Sequence, residues 1–255
     1  MSPATSKPSV SFIVPALNEE GNVEATVNTI LAAANGHVSD FEIILVNDGS
    51  TDGTGAVMGR LAGKNDKIRV VHNKRNLGFG GAYKEGAAAA QCDYIIRICA
   101  DNALPTATIG SILERIGHAD IVIPYISNPE FRSVGRRVGS RGFTIIINTL
   151  FRLRVPYYNH SVVFPRDVLR TISIRTDGFA YQAEALVKLL KAGYTYTEVG
   201  VQDVARVVGR SSALKPRNLL NVFRAIGGLT KEMRQPGAIP KQRLPRPAVQ
   251  GKVES

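Results

Sequence analysis

The sequence predicts a three-layer α/β/α sandwich around a mostly parallel sheet. Short apolar runs alternate with helix-like segments through the first half of the chain, and several of these runs end in turn-forming residues. Strands that alternate with helices pair in parallel through helical crossovers, which gives a doubly wound sheet. The chain has 255 residues, of which 44% are hydrophobic and 21% charged, and it can therefore bury one such core.

The first half of the chain supplies most of the predicted elements. Strands are expected at 10–14, 41–46, 68–71, 94–98 and 121–123, and helices near 18–31, 52–62, 79–90 and 106–116. In the first helical segment, Val23, Val27 and Ile30 fall on one face. Glu19 and Glu20 precede them, and acidic residues in a first turn suit the positive end of a helix.

In the second half of the chain, the predicted strands and helices alternate less regularly. A strand is predicted at 161–164, helices near 166–172 and 179–192, and a strand at 194–201. We expect one domain over 9–230, a flexible N-terminus at 1–8, and a disordered basic tail at 231–255, where four prolines and six basic residues occur. Two cysteines make no disulfide framework, and no apolar run reaches the roughly 20 residues of a membrane span. These features predict a cytoplasmic protein.

The charge is unevenly divided between the two halves. Residues 1–131 carry 10 Lys/Arg and 14 Asp/Glu, a net −4, whereas residues 132–255 carry 22 and 7, a net +15. Residues 132–154 contain six arginines and no acids beside a strongly apolar cluster, and the segment 205–230 is also basic. This mixture predicts a peripheral contact with an anionic membrane surface, and core packing of the isoleucine run is the alternative.

The segment FEIILVNDGSTDGT, residues 41–54, carries the clearest chemical signal. An apolar strand ends at Asn47-Asp48-Gly49, which places a carboxylate at the C-terminal edge of the predicted sheet. Ligands of open α/β sheets bind at that edge. The alternative is a strand followed by an ordinary Asp-Gly turn.

Three further pieces occur in order with this one. They are VPALNEE at 14–20, NLGFGGA at 76–82 and ADN at 100–102. Together the four pieces resemble the family-2 inverting glycosyltransferases, in particular the branch similar to dolichol-phosphate mannosyltransferases, over about residues 9–225. The resemblance implies a GT-A fold, a GDP- or UDP-sugar donor, and transfer to a polyprenyl phosphate at the cytoplasmic face of a membrane.

The resemblance also implies a set of donor contacts, with Asp48 accepting a hydrogen bond from the base and the late arginines closing over the diphosphate. The set is Pro15, Leu17, Glu19, Asp48, Gly49, Gly80, Asp101, Asn102, Arg206 and Arg210. Helix capping by Asn18 and Glu19 is an alternative. Close packing of helix on sheet is an equal alternative for the glycines, since Tyr83 occupies the third glycine position of a G-x-G-x-x-G motif.

Asp101 is the metal ligand that the resemblance implies, with Mg²⁺ or Mn²⁺ on the donor diphosphate. Such ions prefer oxygen ligands, and Mg²⁺ often takes only one or two carboxylates plus phosphates. Cys99 stands where the first Asp of the family's Asp-x-Asp pattern is expected, and a thiolate is a poor ligand for these ions. A metal would therefore rest on Asp101, the diphosphate and water, and a helix cap before Pro105 is the alternative role of Asp101.

The resemblance assigns Arg136 and Ser140 to the acceptor phosphate and gives a catalytic set of Asp101, Arg136 and Glu184. A lipid phosphate is already ionised and needs no strong base, so Glu184 would then only orient a cation. If the acceptor is a saccharide or a small metabolite, Glu184 or Asp177 must act as a base. A catalytically silent nucleotide-sugar-binding homologue is a further alternative. Nucleic acid is not an expected partner, because no aromatic residues interleave with the basic stretches.

Overall fold

The computed structural model describes residues 7–204, 216–235 and 243–247. The strands are β1 Ser9–Ala16, β2 Asp40–Asn47, β3 Ile68–His72, β4 Tyr94–Arg97, β5 Ile121–Ile126, β6 Val163–Pro165 and β7 Tyr196–Val201. The helices are α1 Val23–Ala34, α2 Thr54–Ala62, α3 Phe79–Ala89, α4 Thr106–Leu113, α5 Val134–Phe151, α6 Arg166–Leu169, α7 Tyr181–Lys191 and α8 Pro216–Met233. A 3₁₀ turn covers Pro129–Phe131.

The seven strands form one sheet in the order β3-β2-β1-β4-β6-β5-β7. All strands run in the same direction except β6, which is antiparallel to both β4 and β5. The predicted mostly parallel α/β sheet is therefore confirmed. The strand order reverses between β1 and β4, and a crevice at such a switch point is where ligands bind in open sheets.

The sheet separates two hydrophobic cores, which makes the molecule three layers thick. Side chains alternate along a strand, so that Phe12 and Val14 face one core while Ile13 faces the other. The first core is closed by α1, α2 and α4, and the second by α3, α5, α6, α7 and α8. Both layers hold the C-terminal ends of the strands in fixed positions.

The predicted elements match the observed ones with small shifts. The first helix begins at Val23, after the loop that carries Glu19 and Glu20. The isoleucine run in α5 packs partly into the core, because Ile147 is buried in the second core whereas Ile145 is 60% exposed. The membrane contact stays a prediction. None of the described helices is long and apolar enough to cross a membrane.

The C-terminal segment contacts the edge of the sheet opposite the candidate site. Helix α8 ends at Met233, three residues past the expected domain boundary. Farther on, Arg243 pairs with Asp120, and the Tyr94 hydroxyl donates to the Pro247 carbonyl over 3.1 Å. The other residues expected in the tail lie largely outside the described ranges, so the domain boundaries and the disorder stay predictions.

Candidate active site

The loops that follow β1 and β2 are joined by hydrogen bonds. The backbone N–H of Asn18 donates to Ser50 Oγ over 3.0 Å, and Asn18 Oδ1 accepts from the Thr51 N–H over 2.9 Å. Glu20 Oε2 accepts from the Gly53 N–H over 2.9 Å. Asn18 holds a left-handed φ of 56°, a conformation that asparagine tolerates better than most residues with a side chain. The hydrogen bonds hold the two loops against each other at the C-terminal edge of the sheet.

Asp48 holds the glycine-rich loop from beneath. Its side chain is 3% exposed, and its carboxylate accepts from Asn73 Nδ2, the Leu77 N–H and the Gly78 N–H over 2.9, 2.8 and 3.1 Å. Three N–H donors that converge on one buried carboxylate order the loop that supplies them. These contacts are structural, and the hydrogen bond from Asp48 to a nucleotide base stays a prediction.

The glycines of this region meet other backbone segments. Gly49 has a φ of 73°, and a Cβ there would lie 2.7 Å from the carbonyl carbon of Arg75. A Cβ on Gly80 would lie 2.8 Å from the carbonyl oxygens of Thr176 and Gly178. The Gly80 N–H donates to the Asp177 carbonyl over 2.7 Å. This geometry favours the packing role of Gly80, and a direct donor contact by Gly49 or Gly80 stays a prediction.

Pro15, Leu17 and Glu19 occupy three different environments at the end of β1. Pro15 is buried and lies opposite Val46 of β2. Leu17 is 41% exposed at the rim, where an aromatic base could pack on it. The Glu19 N–H donates to Thr54 Oγ1 over 2.9 Å, which ties this loop to the start of α2.

Asp101 and Asn102 follow β4 at the same edge of the sheet. Asn102 has a φ of 50°, its N–H donates to Thr26 Oγ1 over 3.1 Å, and its Oδ1 accepts from Thr29 Oγ1 over 3.0 Å. The loop is thereby fixed to α1. Asp101 is half-buried beside it, next to the switch point between β1 and β4.

The residues around Asp101 do not form a complete metal site. Burial raises the pKa of the Cys99 thiol to about 11, and Arg97 Nη1 donates to its Sγ over 2.8 Å. The described part of the chain contains no group of three His, Cys, Asp or Glu side chains placed to hold an ion. These residues therefore do not fit an ion held by the protein alone, and Asp101 would be one carboxylate ligand of an ion that the donor diphosphate also holds.

Asp203 joins several loops at this edge, and sequence reasoning missed it. His160 Nδ1 accepts from the Ser161 N–H over 2.7 Å, so the ring carries its proton on Nε2 and donates it to Asp203 Oδ1 over 3.0 Å. Arg132 Nη2 lies 3.6 Å from the same carboxylate. The position of Asp203 just after β7 was the one available signal, because that strand ends at the ligand-binding edge.

Helix α5 places Arg136 and Ser140 on its inner face. The two residues are four positions apart, and Phe143 and Ile147 continue the same stripe into the second core. Ser140 Oγ is buried and has no hydrogen-bond partner among the residues that the structure describes. An unsatisfied buried hydroxyl beside an arginine on one face could bind an anionic ligand.

The opposite face of α5 is apolar and exposed. Val134, Val138 and Ile145 are 70%, 66% and 60% exposed, and helical geometry places the three on one side. Leu220 and Phe223 of α8, a helix that contacts α5, are also exposed. Apolar side chains of this size on a surface usually mark an interaction site.

Glu184 lies in a buried ion-pair network, and the catalytic role expected from the sequence stays a prediction. It is buried, accepts from the Arg175 and Thr176 N–H groups over 2.9 Å each, and pairs with Lys188 Nζ at 2.7 Å. Burial raises the pKa of Glu184, but these hydrogen bonds outweigh it and hold the pKa below its ordinary value. Lys188 also pairs with Glu232 at 2.9 Å, so the network attaches α8 to α7.

Asp177, the other carboxylate considered as a base, is largely exposed and pairs with Lys84 at 2.5 Å. The predicted diphosphate contacts Arg206 and Arg210 lie outside the described residues. The structure therefore brings together the loops bearing Leu17, Asp48 and Asp101 at one edge of the sheet, and it leaves the late arginines untested.

The fold and the polar loops at its C-terminal edge define an α/β protein of GT-A architecture. A model of glycosyl transferase family 2 matches residues 11–172, and the chain therefore belongs to that family. The resemblance seen in the sequence motifs is confirmed at this level.

Curated relatives and solved structures agree with the family. The chain is 28% identical over 204 residues to glycosyltransferase AglD of Haloferax volcanii, covering 75% of this chain and 32% of that protein. It is 32% identical over 98 residues to dolichyl-phosphate beta-glucosyltransferase ALG5C of Trichomonas vaginalis, covering 36% of this chain and 29% of that protein. The matches thus span about a third of the length of these relatives.

Two solved structures share the fold at low sequence identity. Glucosyl-3-phosphoglycerate synthase of Mycobacterium tuberculosis, in complex with Mg²⁺ and UDP, has a TM-score of 0.67 at 16% identity, with 88% of this chain and 80% of that chain covered. Mannosyl-3-phosphoglycerate synthase of Rubrobacter xylanophilus has a TM-score of 0.67 at 18% identity, with 90% and 78% covered. These likenesses support the GT-A fold.

Proposed function

We propose that this protein transfers a sugar from a nucleotide-sugar donor to a polyprenyl phosphate, with inversion at the anomeric carbon, at an anionic membrane surface. The main support for the proposal is the difference between the two faces of α5. Its inner face presents Arg136 and the unsatisfied hydroxyl of Ser140, and its outer face presents exposed apolar side chains.

The donor half of the proposal is supported by the loops at the switch point of the sheet. Leu17 offers an apolar surface to a base, and Asp48 fixes the glycine-rich loop by hydrogen bonds. Family membership and the UDP complex of a structural neighbour support the same donor class. Arg206 and Arg210 are proposed to cover the diphosphate, as arginines do for phosphate oxygens.

The proposed reaction follows from an acceptor that is already charged. A phosphate oxygen attacks the anomeric carbon, a new carbon–oxygen bond forms, and the bond to the donor diphosphate breaks with its electron pair going to the leaving nucleoside diphosphate. Arg136 positions the acceptor phosphate for this attack. Such an acceptor needs no base, which agrees with the ion-paired state of Glu184.

A divalent ion brought by the donor diphosphate would have Asp101 as its protein ligand and would offset the charge of the leaving group. The structural neighbours crystallised with Mg²⁺ or Mn²⁺ and UDP support this part of the proposal. The residues of this chain contribute the position of Asp101, which is fixed through Asn102 and α1.

Membrane contact is supported by charge as well as by exposed apolar side chains. The arginines Arg137 and Arg141 flank the outer face of α5 and are exposed. Apolar residues in the acyl boundary with arginines at the lipid head groups are typical of a helix that lies in a membrane interface.

A small phosphorylated metabolite is a second candidate acceptor. Structural neighbours are named for synthesis on 3-phosphoglycerate, and one has been crystallised with phosphoglyceric acid. This acceptor also bears a phosphate that Arg136 and Ser140 would bind. Both candidate acceptors would therefore bind at the inner face of α5. Only the lipid acceptor would also require the outer face, through its contact with the membrane.

The test is transfer by the purified protein from a panel of UDP- and GDP-sugars, with Mg²⁺ or Mn²⁺, to farnesyl phosphate in anionic vesicles or to 3-phosphoglycerate. We expect transfer to the lipid phosphate. Transfer to 3-phosphoglycerate alone would overturn the lipid acceptor and retain the donor chemistry. If the donor is transferred to neither acceptor and is not hydrolysed by water, the result would support a catalytically silent homologue.

A further inference from the structure

The chain that leaves β7 is bonded on one side to the turn that precedes α5. The side chain of Asn128 pairs with the backbone of Asp203, donating from Nδ2 to its carbonyl over 2.9 Å and accepting from its N–H over 3.1 Å. Arg132, which lies just before α5 begins at Val134, is 3.6 Å from the Asp203 carboxylate. Three contacts therefore hold the start of α5 against one residue.

The same chain is bonded on its other side to the loop that follows β4. The Val204 N–H donates to the carbonyl of Ala103, in the loop that bears Asp101, over 3.1 Å. Asp203 and Val204 are consecutive residues. The start of α5 and the Asp101 loop are thus joined through a single step of the backbone.

The junction is buried and its side chains bind one another. The Asp203 carboxylate accepts from His160 Nε2 over 3.0 Å, and both side chains are almost wholly excluded from solvent. Arg132 has a second partner, because its Nη1 donates to the Tyr157 hydroxyl over 2.7 Å. Buried polar networks of this kind rigidify the parts that they connect.

The two joined parts have different roles in the proposed reaction. Helix α5 carries Arg136 in its first turn, where the acceptor phosphate is proposed to bind, and the Asp101 loop lies where the donor diphosphate is proposed to bind. In-line attack needs the two substrates in contact, and a displacement of about 1 Å can cost about a hundredfold in rate. A residue that sets the separation of these parts should therefore affect the transfer step more than the binding of either substrate.

We propose that Asp203 is a positioning residue for the transfer step, and that it holds the acceptor helix α5 at a fixed separation from the Asp101 loop. The inference rests on the proposed function and deepens it. Asp203 contacts neither substrate in this role, because its buried carboxylate binds His160 and Arg132. It acts through the two parts of the chain that it joins.

Two variants loosen the junction to different extents. Asp203→Asn keeps an acceptor oxygen for His160 Nε2 and removes the charge that pairs with Arg132. Tyr157→Phe keeps the ring and removes only the second partner of Arg132.

Asp120→Asn is the matched control, because Asp120 is also a buried carboxylate paired with an arginine. It accepts from the Thr195 N–H over 2.7 Å, directly before β7 begins, and its arginine partner is Arg243. The control therefore loses an equal charge at the other end of the same strand, away from the candidate site.

The rate constant of transfer is measured in a single turnover with saturating substrates, using the sugar nucleotide and the acceptor, farnesyl phosphate or 3-phosphoglycerate, that wild type uses. Calorimetry with UDP or GDP gives the donor-side affinity, the acceptor KM is measured separately, and urea unfolding shows that each variant is folded at the assay temperature.

We expect the rate constant to fall by about thirtyfold to a hundredfold in Asp203→Asn, while the nucleotide dissociation constant and the acceptor KM stay within about threefold of wild type. Tyr157→Phe should lose about threefold to tenfold in the same rate constant. Asp120→Asn should lower the urea midpoint and keep a rate constant within about twofold of wild type.

Equal losses of rate in Asp203→Asn and Asp120→Asn would overturn the inference and leave Asp203 as a purely structural residue. A loss confined to nucleotide affinity or to the acceptor KM would also overturn it, while the proposed function would stand. If Asp203→Asn does not fold, Tyr157→Phe decides, and a wild-type rate constant in that variant counts against the inference. Failure of wild type to transfer to either acceptor would overturn the proposed function as well.

Discussion

The loops on the proposed donor side of the sheet and the helix on the proposed acceptor side are held in different ways. The loops after β1 and β2 are joined by side-chain hydrogen bonds, and Asp48 gathers three N–H donors beneath the glycine-rich loop. In contrast, Arg136, Arg137 and Arg141 of α5 make no ion pair with any residue of the described ranges. The polar groups of the loops are hydrogen-bonded within the protein, whereas these arginines of α5 form no ion pair with the described residues.

This difference has a functional consequence. A nucleotide pocket gains affinity when its loops are ordered before the ligand arrives, because less conformational entropy is lost on binding. A surface that receives a phosphate or a lipid head group instead needs cations that are not already paired. The comparison therefore predicts that substitutions on the donor side affect stability as well as binding, whereas those on α5 affect binding alone.

The largest effect is expected for Asp48→Ala. The substitution leaves the Leu77 and Gly78 N–H groups and the Asn73 amide without their buried acceptor, and the free energy of unfolding should fall by about 3 kcal/mol or more. Nucleotide-sugar turnover should be lost. Urea unfolding and a turnover assay measure the two effects, and Asp48→Asn, which keeps one acceptor oxygen, is the milder control. An unfolding midpoint like that of wild type would show that the loop does not depend on Asp48.

A smaller and pH-dependent effect is expected for Glu184→Gln. The folded-state pKa of Glu184 is depressed, so its ionised form contributes stability that is fully present above the unfolded pKa of about 4.3 and is lost as pH falls through the folded value. Wild type should exceed the variant by about 2 kcal/mol at neutral pH. The difference should shrink below about pH 4.

Urea unfolding at several pH values measures this difference. The rate of transfer at neutral pH provides the second readout, because a residue that only attaches α8 to α7 should leave the rate near that of wild type. A fall in the transfer rate of about a hundredfold or more, with an unchanged free energy of unfolding, would instead identify Glu184 as a general base.

Arg136→Ala tests the acceptor side. The acceptor KM should rise by about tenfold while the donor KM and the free energy of unfolding stay near wild type, because the guanidinium is proposed to contact the acceptor phosphate alone. Arg137→Ala removes an equal charge from the neighbouring face and is the matched control. Similar effects of the two variants would point to general electrostatic attraction rather than a specific phosphate contact.

The smallest effect is expected at the outer face of α5. Val138→Asp should weaken sedimentation with vesicles that contain phosphatidylglycerol by about threefold to tenfold, and binding of wild type should fall with added salt. Ala107→Asp, an exposed change on α4 across the sheet, adds the same charge away from this face. An absence of vesicle binding by wild type would contradict the membrane contact.

Much of the fold could be predicted from the sequence because it depends on local patterns. Ile43–Val46 is apolar throughout and Tyr94–Ile98 is apolar except for Arg97, and a buried parallel strand has this pattern on both faces. The same runs ended in Asp48 and Asp101, so the edge of the sheet that carries the candidate site was also predictable. The antiparallel insertion of the short β6 between β4 and β5 had no local signal.

The side-chain networks could not be predicted in this way. His160 and Asp203 are separated by 43 positions, and the pair forms only when four loops meet at one edge. Arg97 lies in a strand whose other residues are apolar, and its burial depends on Phe79 and on the loop at His160. Glu184 and Lys188 have the spacing of an ordinary surface pair, and packing by α8 is what buries them.

The proposal that donor and acceptor bind separate parts of the molecule is tested most directly by one titration. Calorimetry with the nucleoside diphosphate that wild type binds compares Asp101→Ala with Arg136→Ala in Mg²⁺. The dissociation constant should rise by about tenfold or more for Asp101→Ala and should stay within about twofold of wild type for Arg136→Ala. Equal losses in the two variants, or a loss in Arg136→Ala alone, would contradict the assignment of donor and acceptor to separate parts of the molecule.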